Sequence, residues 1–158
     1  MEENYIIILR ESLEKKVRIL KDIVRRNEEQ KDILEDKNAP ADEFEKNVEE
    51  KNQLVEQIVA LDDGFDSLYQ RASKELESNR EKYASEIKHM QDNIRKITDL
   101  STKIQMQEKE NYNLAKLKFA GIKQQVKKVR KSQQAVNTYY KNMSRANYYD
   151  PQFFDKNH

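Results

Sequence analysis

The chain contains no cysteine and no tryptophan, and only two glycines, two prolines and two histidines occur among its 158 residues. Without cysteine there are no disulfide bonds and no thiolate chemistry, which is typical of proteins kept in a reducing compartment. Sheet folds need many more turn residues, so the shortage of glycine and proline predicts an all-α protein. Two isolated glycines cannot form a phosphate-binding loop, and His89 and His158 offer no partner for a serine nucleophile. We therefore predict a protein that is not an enzyme and needs no cofactor.

Long hydrophobic runs are also missing. The longest apolar run near the N-terminus is Tyr5–Leu9, and it is preceded by the acidic residues Glu2 and Glu3. A run of this length and charge is neither a secretory signal nor a membrane span. The expected location is the cytoplasm, with no membrane-spanning segment.

What the chain does contain is a long periodic stretch from Asp42 to Met143, which has no proline and only Gly64 and Gly121 as glycines. Apolar residues recur in it at alternating steps of three and four, which places them along one narrow face of a helix. A seam this narrow has to be buried against another helix. The expected fold class is therefore an elongated antiparallel helical bundle or coiled coil of three helices, with a long C-terminal helix.

The predicted helices belong to a single domain, and the first boundary is the clearest. In the sequence KNAPADEFEK, Pro40 disfavours helical geometry at Ala39, and Asp42 is a candidate N-cap for the next helix. The second boundary has two candidates, Asp62–Gly64 and Ser78–Asn79. The predicted helices cover about 4–37, 41–78 and 80–143, followed by an aromatic tail at 144–158.

Polar residues interrupt the apolar pattern at a few core positions. Asn27 occupies an expected core layer of the first helix, and Lys51 lies within the stripe of the second. Between Gln105 and Asn113 only Met106 and Tyr112 are apolar, and the register shifts before the pattern resumes. The motif Glu86-x-x-His89 has the spacing found in di-iron bundles, but a second such pair is missing. We interpret it as a solvated face and predict no metal site.

The charges are distributed unevenly along the chain. Between Met1 and Phe65 there are 18 acidic and 11 basic residues, whereas between Asn111 and Tyr149 there are nine basic residues and no acidic one. A basic helix with interleaved aromatics can bind nucleic acid. An apolar seam flanked by charges is, however, the usual means by which one helix recognises another. We therefore predict a protein partner and no nucleic acid, with a basic nucleic-acid-associated protein as one alternative.

The predicted protein-binding residues follow the second half of the longest helix and its tail. Helix one is too short to cover the whole of a helix that ends at 143, so part of the seam is available to a partner. The same seam could instead hold two copies of the chain together, so a structural homodimer is a further alternative. The predicted binding residues are Leu114, Leu117, Phe119, Ile122, Val126, Val129, Val136, Tyr139, Tyr140 and Met143, with the tail aromatics Tyr148, Tyr149, Phe153 and Phe154 as a second set.

Four segments of the sequence resemble flagellar type III export chaperones of the FlgN type. They are ILRESLEKKVRILKDIV, EEKNQLVEQIVALDDGFDSLYQ, IRKITDLSTKIQMQEKENYNLAKLKFAGI and the ending AVNTYYKNMSRANYYDPQFFDKNH. The resemblance implies a small cytoplasmic helical protein that binds the helical C-terminal regions of hook-filament junction (hook-associated) proteins. It also implies that such a protein delivers these clients to the export apparatus.

Overall fold

The computed structural model describes residues 2–120 together with Lys127, Arg130, Lys131 and Gln134. These residues form three helices and no strand, so the predicted all-α bundle is confirmed for this part of the chain. Within it, no helix has the length and apolarity needed to cross a membrane. The helices are α1 (Glu2–Glu35), α2 (Ala41–Ser78) and α3 (Ala84–Lys118).

The three helices run up, down and up, with the backbone of α1 lying close to both of the others. Side-chain hydrogen bonds fix the directions: Gln30 meets Asn47 across α1 and α2 at 2.9 Å, and α1 meets α3 where Arg10 binds Glu86 at 2.6 Å. The helices contain 34, 38 and 35 residues. At a rise of 1.5 Å per residue each is about 50–57 Å long, so the bundle is elongated.

The connection between α1 and α2 contains the predicted proline, but the N-cap differs from the prediction. Pro40 itself occupies the N-cap position, with φ −69° and ψ 151°, and no side chain caps the helix. Asp42 lies in the first turn beside Glu43 instead. There its charge faces the positive end of the helix dipole, which is favourable without a capping hydrogen bond.

The boundary between α2 and α3 lies at the second of its two predicted candidates. Gly64 is an exposed helical residue inside α2, and a side chain added there would meet nothing within 4 Å. The helix ends at Ser78, where Asn79 donates from its side-chain amide to the carbonyl of Glu75 at 3.1 Å. An asparagine side chain that bonds to nearby backbone favours such helix ends. A turn at 79–83 then leads into α3.

The third helix is shorter than the continuous helix predicted for 80–143. It begins at Ala84 and ends at Lys118, and turn residues follow at 119 and 120. This end comes just before Gly121, a residue type that costs about 1 kcal/mol relative to alanine inside a helix. The four described positions beyond Gly121 are helical again, and the remainder of the predicted helix lies outside the described residues.

The buried apolar residues form two separate clusters along the bundle axis. The larger, here called the proximal cluster, comprises the buried apolar side chains between Ile6 and Val24 in α1, Val55 and Leu76 in α2, and Tyr83 and Ile104 around α3. The smaller, the distal cluster, contains Leu34, Phe44, Ala115 and Phe119. Burying a large apolar side chain contributes about 1.5–3 kcal/mol, so most of the hydrophobic stabilisation comes from the proximal cluster.

Candidate protein-binding end of the bundle

The distal end of the bundle is where α1 finishes, α2 begins and α3 finishes. Its cluster is centred on two aromatic rings, Phe44 of α2 and Phe119, whose centroids are 5.1 Å apart at an interplanar angle of 54°. Tilted aromatic pairs at this separation contribute beyond their buried area. The ring contact therefore ties the end of α3 to the start of α2.

A set of buried polar side chains separates the distal cluster from the proximal cluster. All three helices contribute to this set, which we call the polar layer, and its members occupy positions where the helical stripe would otherwise place apolar residues. The polar layer consists of Asn27, Gln30, Asn47, Lys51, Glu108 and Asn111.

An ion pair between α2 and α3 lies in the polar layer. Lys51 Nζ is 2.5 Å from Glu108 Oε1, and the two side chains are only 1% and 9% exposed. Lys51 also donates to Asn27 Oδ1 at 3.1 Å, so one ammonium group joins all three helices. Removing two charges from water costs about as much as their attraction returns, so such a pair adds little net stability. Its consequence is geometric, because each charge is satisfied in only one alignment of the helices.

Amide side chains complete the polar layer with further bonds between helices. Gln30 donates to Asn47 Oδ1 at 2.9 Å, and Asn47 donates to the carbonyl of Arg26 at 2.9 Å. Asn111 of α3 donates to the carbonyl of Asn27 at 3.0 Å and to Gln30 Oε1 at 3.2 Å. A buried amide left without such partners is costly, so these bonds penalise any shift of register between α1, α2 and α3.

Lys118, the last residue of α3, caps the end of α1. Its Nζ donates to the carbonyls of Ile33 and Asp36, at 2.9 and 2.7 Å. The last turn of α1 contains no basic residue of its own, although its terminal carbonyls need donors and its dipole favours a cation. The lysine of α3 supplies both, and this contact places the end of α3 level with the end of α1.

Three of the sequence-predicted binding residues lie in the described part of the chain, in different environments. Leu114 is half-buried against the distal cluster, and Phe119 is buried within it, so in this conformation Phe119 supports the fold. Leu117 is 77% exposed. Of the three, only Leu117 presents an open apolar surface.

The other predicted binding residues lie outside the described residues: Ile122, Val126, Val129, Val136, Tyr139, Tyr140, Met143, Tyr148, Tyr149, Phe153 and Phe154. The described positions in this segment are Lys127, Arg130, Lys131 and Gln134, which are helical and exposed. At 100° per residue these four share one side of a helix, and the predicted apolar stripe falls on the opposite side.

The two residues of the Glu86-x-x-His89 motif do not form a site together. Glu86 accepts a hydrogen bond from Arg10 at 2.6 Å, and this bond and the carboxylate charge raise the pKa of Arg10. His89 is exposed. Across residues 2–120 and the four positions beyond, no three histidine, aspartate or glutamate side chains converge to hold a metal ion.

An open groove lies at the opposite, proximal end of the bundle. It has a volume of about 710 Å³ and is lined by Tyr5, Ser67, Gln70, Arg71, Ser73, Lys74 and Glu75. Small-molecule sites are enclosed and mostly apolar, with a few converging polar groups. Every residue that lines this groove carries a polar or ionisable group, the groove is open to solvent, and Arg71 lies over the ring of Tyr5 at 5.5 Å, so it does not have the character of a ligand site.

Sequence reasoning did not identify Glu108 and Asn111 as core residues. The feature of the sequence that could have identified them is the polar segment from Gln105 to Asn113. In the sequence pattern it is an interruption of the apolar stripe. In the structure the stripe continues through it, because Glu108 and Asn111 face Lys51 and Asn27. Asn27 in the first helix and Lys51 in the second are polar residues at core positions, and the third helix has a polar segment. Together these three features would have indicated a buried polar layer.

Comparison with known proteins assigns no family to this chain: no family model, no curated protein and no solved structure matches it. Function is therefore inferred from the geometry of the bundle and from the sequence pattern.

Proposed function

We propose that this protein is a cytoplasmic flagellar export chaperone. It binds the helical C-terminal segments of hook-associated proteins and delivers them to the type III export apparatus. It acts by burying an apolar helical seam against the client, without cofactor or turnover. The client-binding surface comprises Leu117 and the apolar side of the segment from Ile122 to Met143, with the tail aromatics as a second contact.

The observation that carries this proposal is that α3 ends level with the end of α1 and the start of α2. Lys118 binds the carbonyls of Ile33 and Asp36, so the last residue of α3 already lies beside the end of α1 and the connection to α2. The apolar pattern of the sequence nevertheless continues for about six further helical turns. At the level of Lys118, α1 ends and α2 begins. A helix with an apolar stripe requires a partner that buries it.

The exposed charges beyond Gly121 support the same interpretation. Lys127, Arg130 and Lys131 are exposed, and at 100° per residue they fall on the side away from the apolar stripe that the sequence predicts. A helix that is charged on one side and apolar on the other buries its apolar side against a partner.

Two exposed apolar residues of α3 provide a matched test. Leu117 and Met106 are 77% and 70% exposed, and only Leu117 belongs to the proposed surface. Leu117→Glu should reduce binding of a labelled peptide from the C-terminal region of a hook-filament junction protein, measured by fluorescence anisotropy. Met106→Glu should not. Surface substitutions of this type change stability by about 0.5 kcal/mol or less, so both variants should remain folded.

A stronger test targets the predicted seam itself. Val129→Glu combined with Tyr140→Glu should abolish peptide binding and leave the helical circular dichroism of the bundle intact. Loss of the whole fold would show that these residues are core, and the proposed surface would then be wrong.

The salt dependence of binding distinguishes the proposed chaperone from a nucleic-acid-associated protein, and the strength of self-association distinguishes it from a structural homodimer. Binding to DNA through the basic residues would weaken by about 10³–10⁵ between 50 and 200 mM salt, because counterions are released. A client helix held by apolar burial should lose far less, since exposed ion pairs contribute only about 0–1 kcal/mol each. A self-association constant tighter than peptide binding would instead favour the structural homodimer.

A further inference from the structure

The core changes its chemistry along the bundle, and this change marks a plane at which the bundle can separate. The proximal cluster lies on one side of the polar layer and the four-residue distal cluster lies on the other. The polar layer crosses all three helices, and the buried apolar residues on its two sides form separate clusters. Apart from the continuous helix backbones, the side chains within the layer therefore join the two clusters mainly through hydrogen bonds and one ion pair.

Separation costs less at the polar layer than in an apolar layer. When Lys51 and Glu108 part, both charges regain the hydration that burial removed, and this offsets their lost attraction. Asn111 likewise exchanges protein hydrogen bonds for bonds to water. Opening the proximal cluster has no such compensation, because apolar side chains gain nothing from exposure.

The part free to move is the end of α3. The distal ends of α1 and α2 are joined by the short connection at 36–40 and by the bond from Gln30 to Asn47. The end of α3 is held there by the ring of Phe119, the ammonium of Lys118 and the contacts of Glu108 and Asn111.

We propose that α3 from Glu108 to Phe119 separates from α1 and α2 as a unit, and that the surface it uncovers accepts one amphipathic helix of the client. The identity of the occupant rests on the proposed function, whereas the opening does not. The uncovered surface consists of Lys51, Asn27, Leu34 and Phe44. It selects a helix that repeats the chemistry of the departing segment, with the spacing of Glu108, Asn111, Ala115 and Phe119: a carboxylate, an amide three residues later, then a small and an aromatic residue at steps of four.

Hydrogen exchange on the full chain tests the opening. Amides between Asn111 and Phe119 should have protection factors lower by about tenfold or more than those between Ile94 and Ile104. Equal protection on both sides of the polar layer would overturn the proposal.

Two cross-linked variants test where the opening occurs. Because the chain has no cysteine, Lys31→Cys with Glu110→Cys can be joined by a bis-maleimide across α1 and α3 at the distal end, where the native side chains are 2.8 Å apart. The matched control is Arg10→Cys with Glu86→Cys, which replaces an ion pair of 2.6 Å between the same helices at the proximal end. The distal cross-link should restore protection after Asn111 and the proximal one should not. The same effect from both would overturn the proposal.

A synthetic peptide of residues 101–120 of this chain probes the uncovered surface. In fluorescence anisotropy it should bind the full chain carrying the proximal cross-link at least about tenfold more tightly than the chain carrying the distal cross-link. A control peptide with Glu108→Lys and Phe119→Ala should not bind. Absence of binding by the unmodified peptide, or equal binding to both cross-linked chains, would overturn the docking surface. The probe derives from this chain, so a failure of flagellar clients to bind leaves this result intact and refutes only the proposed function.

Discussion

The proximal and distal parts of the bundle use the same three helices and the same helical stripe, but they fill the stripe with different chemistry. Around Leu20 and Ile58 the interior is apolar, and its burial provides the free energy of folding. Around Lys51 and Glu108 it is charged and amide-rich, and its burial returns little net free energy. The difference indicates that the proximal part supplies stability, whereas the polar layer fixes the register and leaves the distal end easier to open.

The largest effect should follow from breaking the buried ion pair on one side. Lys51→Met leaves the carboxylate of Glu108 buried without its counter-ion, and the free energy of unfolding should fall by about 3–5 kcal/mol. Urea denaturation followed by circular dichroism measures this loss. A fall below about 1 kcal/mol would mean that Glu108 reaches solvent when Lys51 is absent.

The matched control removes both charges. Lys51→Met combined with Glu108→Leu leaves no unpaired charge, so the free energy of unfolding should return to the starting value or exceed it by about 1–4 kcal/mol. The same double variant should raise hydrogen-exchange protection after Asn111, because the polar layer becomes apolar. If hydrogen-exchange protection after Asn111 is unchanged, the ion pair does not control the opening of the distal end.

A large-to-small pair in α1 compares the two clusters directly. Leu20→Ala in the proximal cluster should lower the free energy of unfolding by about 2–5 kcal/mol, because a buried leucine is lost and a cavity remains. Leu34→Ala should cost less, since the small distal cluster can collapse around the change. Equal losses in urea denaturation would contradict the division of roles between the clusters.

A smaller effect is expected from the cap of α1. Lys118→Met removes the donor to the carbonyls of Ile33 and Asp36 and the charge at the negative end of the helix dipole. The expected loss is about 0.5–2 kcal/mol. Lys109→Met is the control, since Lys109 is an exposed lysine of the same helix. If both variants have the same melting temperature, the cap contributes no stability.

The smallest effect concerns the exposed ion pair between Lys31 and Glu110, 2.8 Å apart. The hydrogen bond that Lys31 donates to Glu110 and the charge of that carboxylate raise the pKa of Lys31, so the pair stabilises the fold below the unfolded lysine pKa of about 10.4. This contribution is lost as the pH rises through the higher folded pKa. A double-mutant cycle with Lys31→Met and Glu110→Gln should therefore give a coupling that disappears at high salt and at strongly alkaline pH.

Individual residues show which features of the structure could be predicted from the sequence and which could not. Pro40 located the first connection, and the predicted second helix, 41–78, has the bounds observed for α2. The stripe also placed Asn27 and Lys51 at core positions, where both are buried. It did not place Glu108 there, because a glutamate in a polar segment has no periodic signature of its own. Nor could the pattern of one helix show that the ring of Phe119 packs against Phe44, 75 positions away in the chain.

The sequence by itself determined the all-α class and the position of the first connection, and it narrowed the second connection to two candidates. These features depend on local propensity and on the 3.6-residue period, which act between neighbours in the chain. Only the tertiary structure decided which polar residues are buried together and which lysine caps α1. Lys51, Glu108 and Asn27 come from three helices, and Lys118 meets α1 more than eighty residues away. Such contacts depend on how the helices are aligned in space, and one helix's sequence contains no information about the side chain that another will place opposite it.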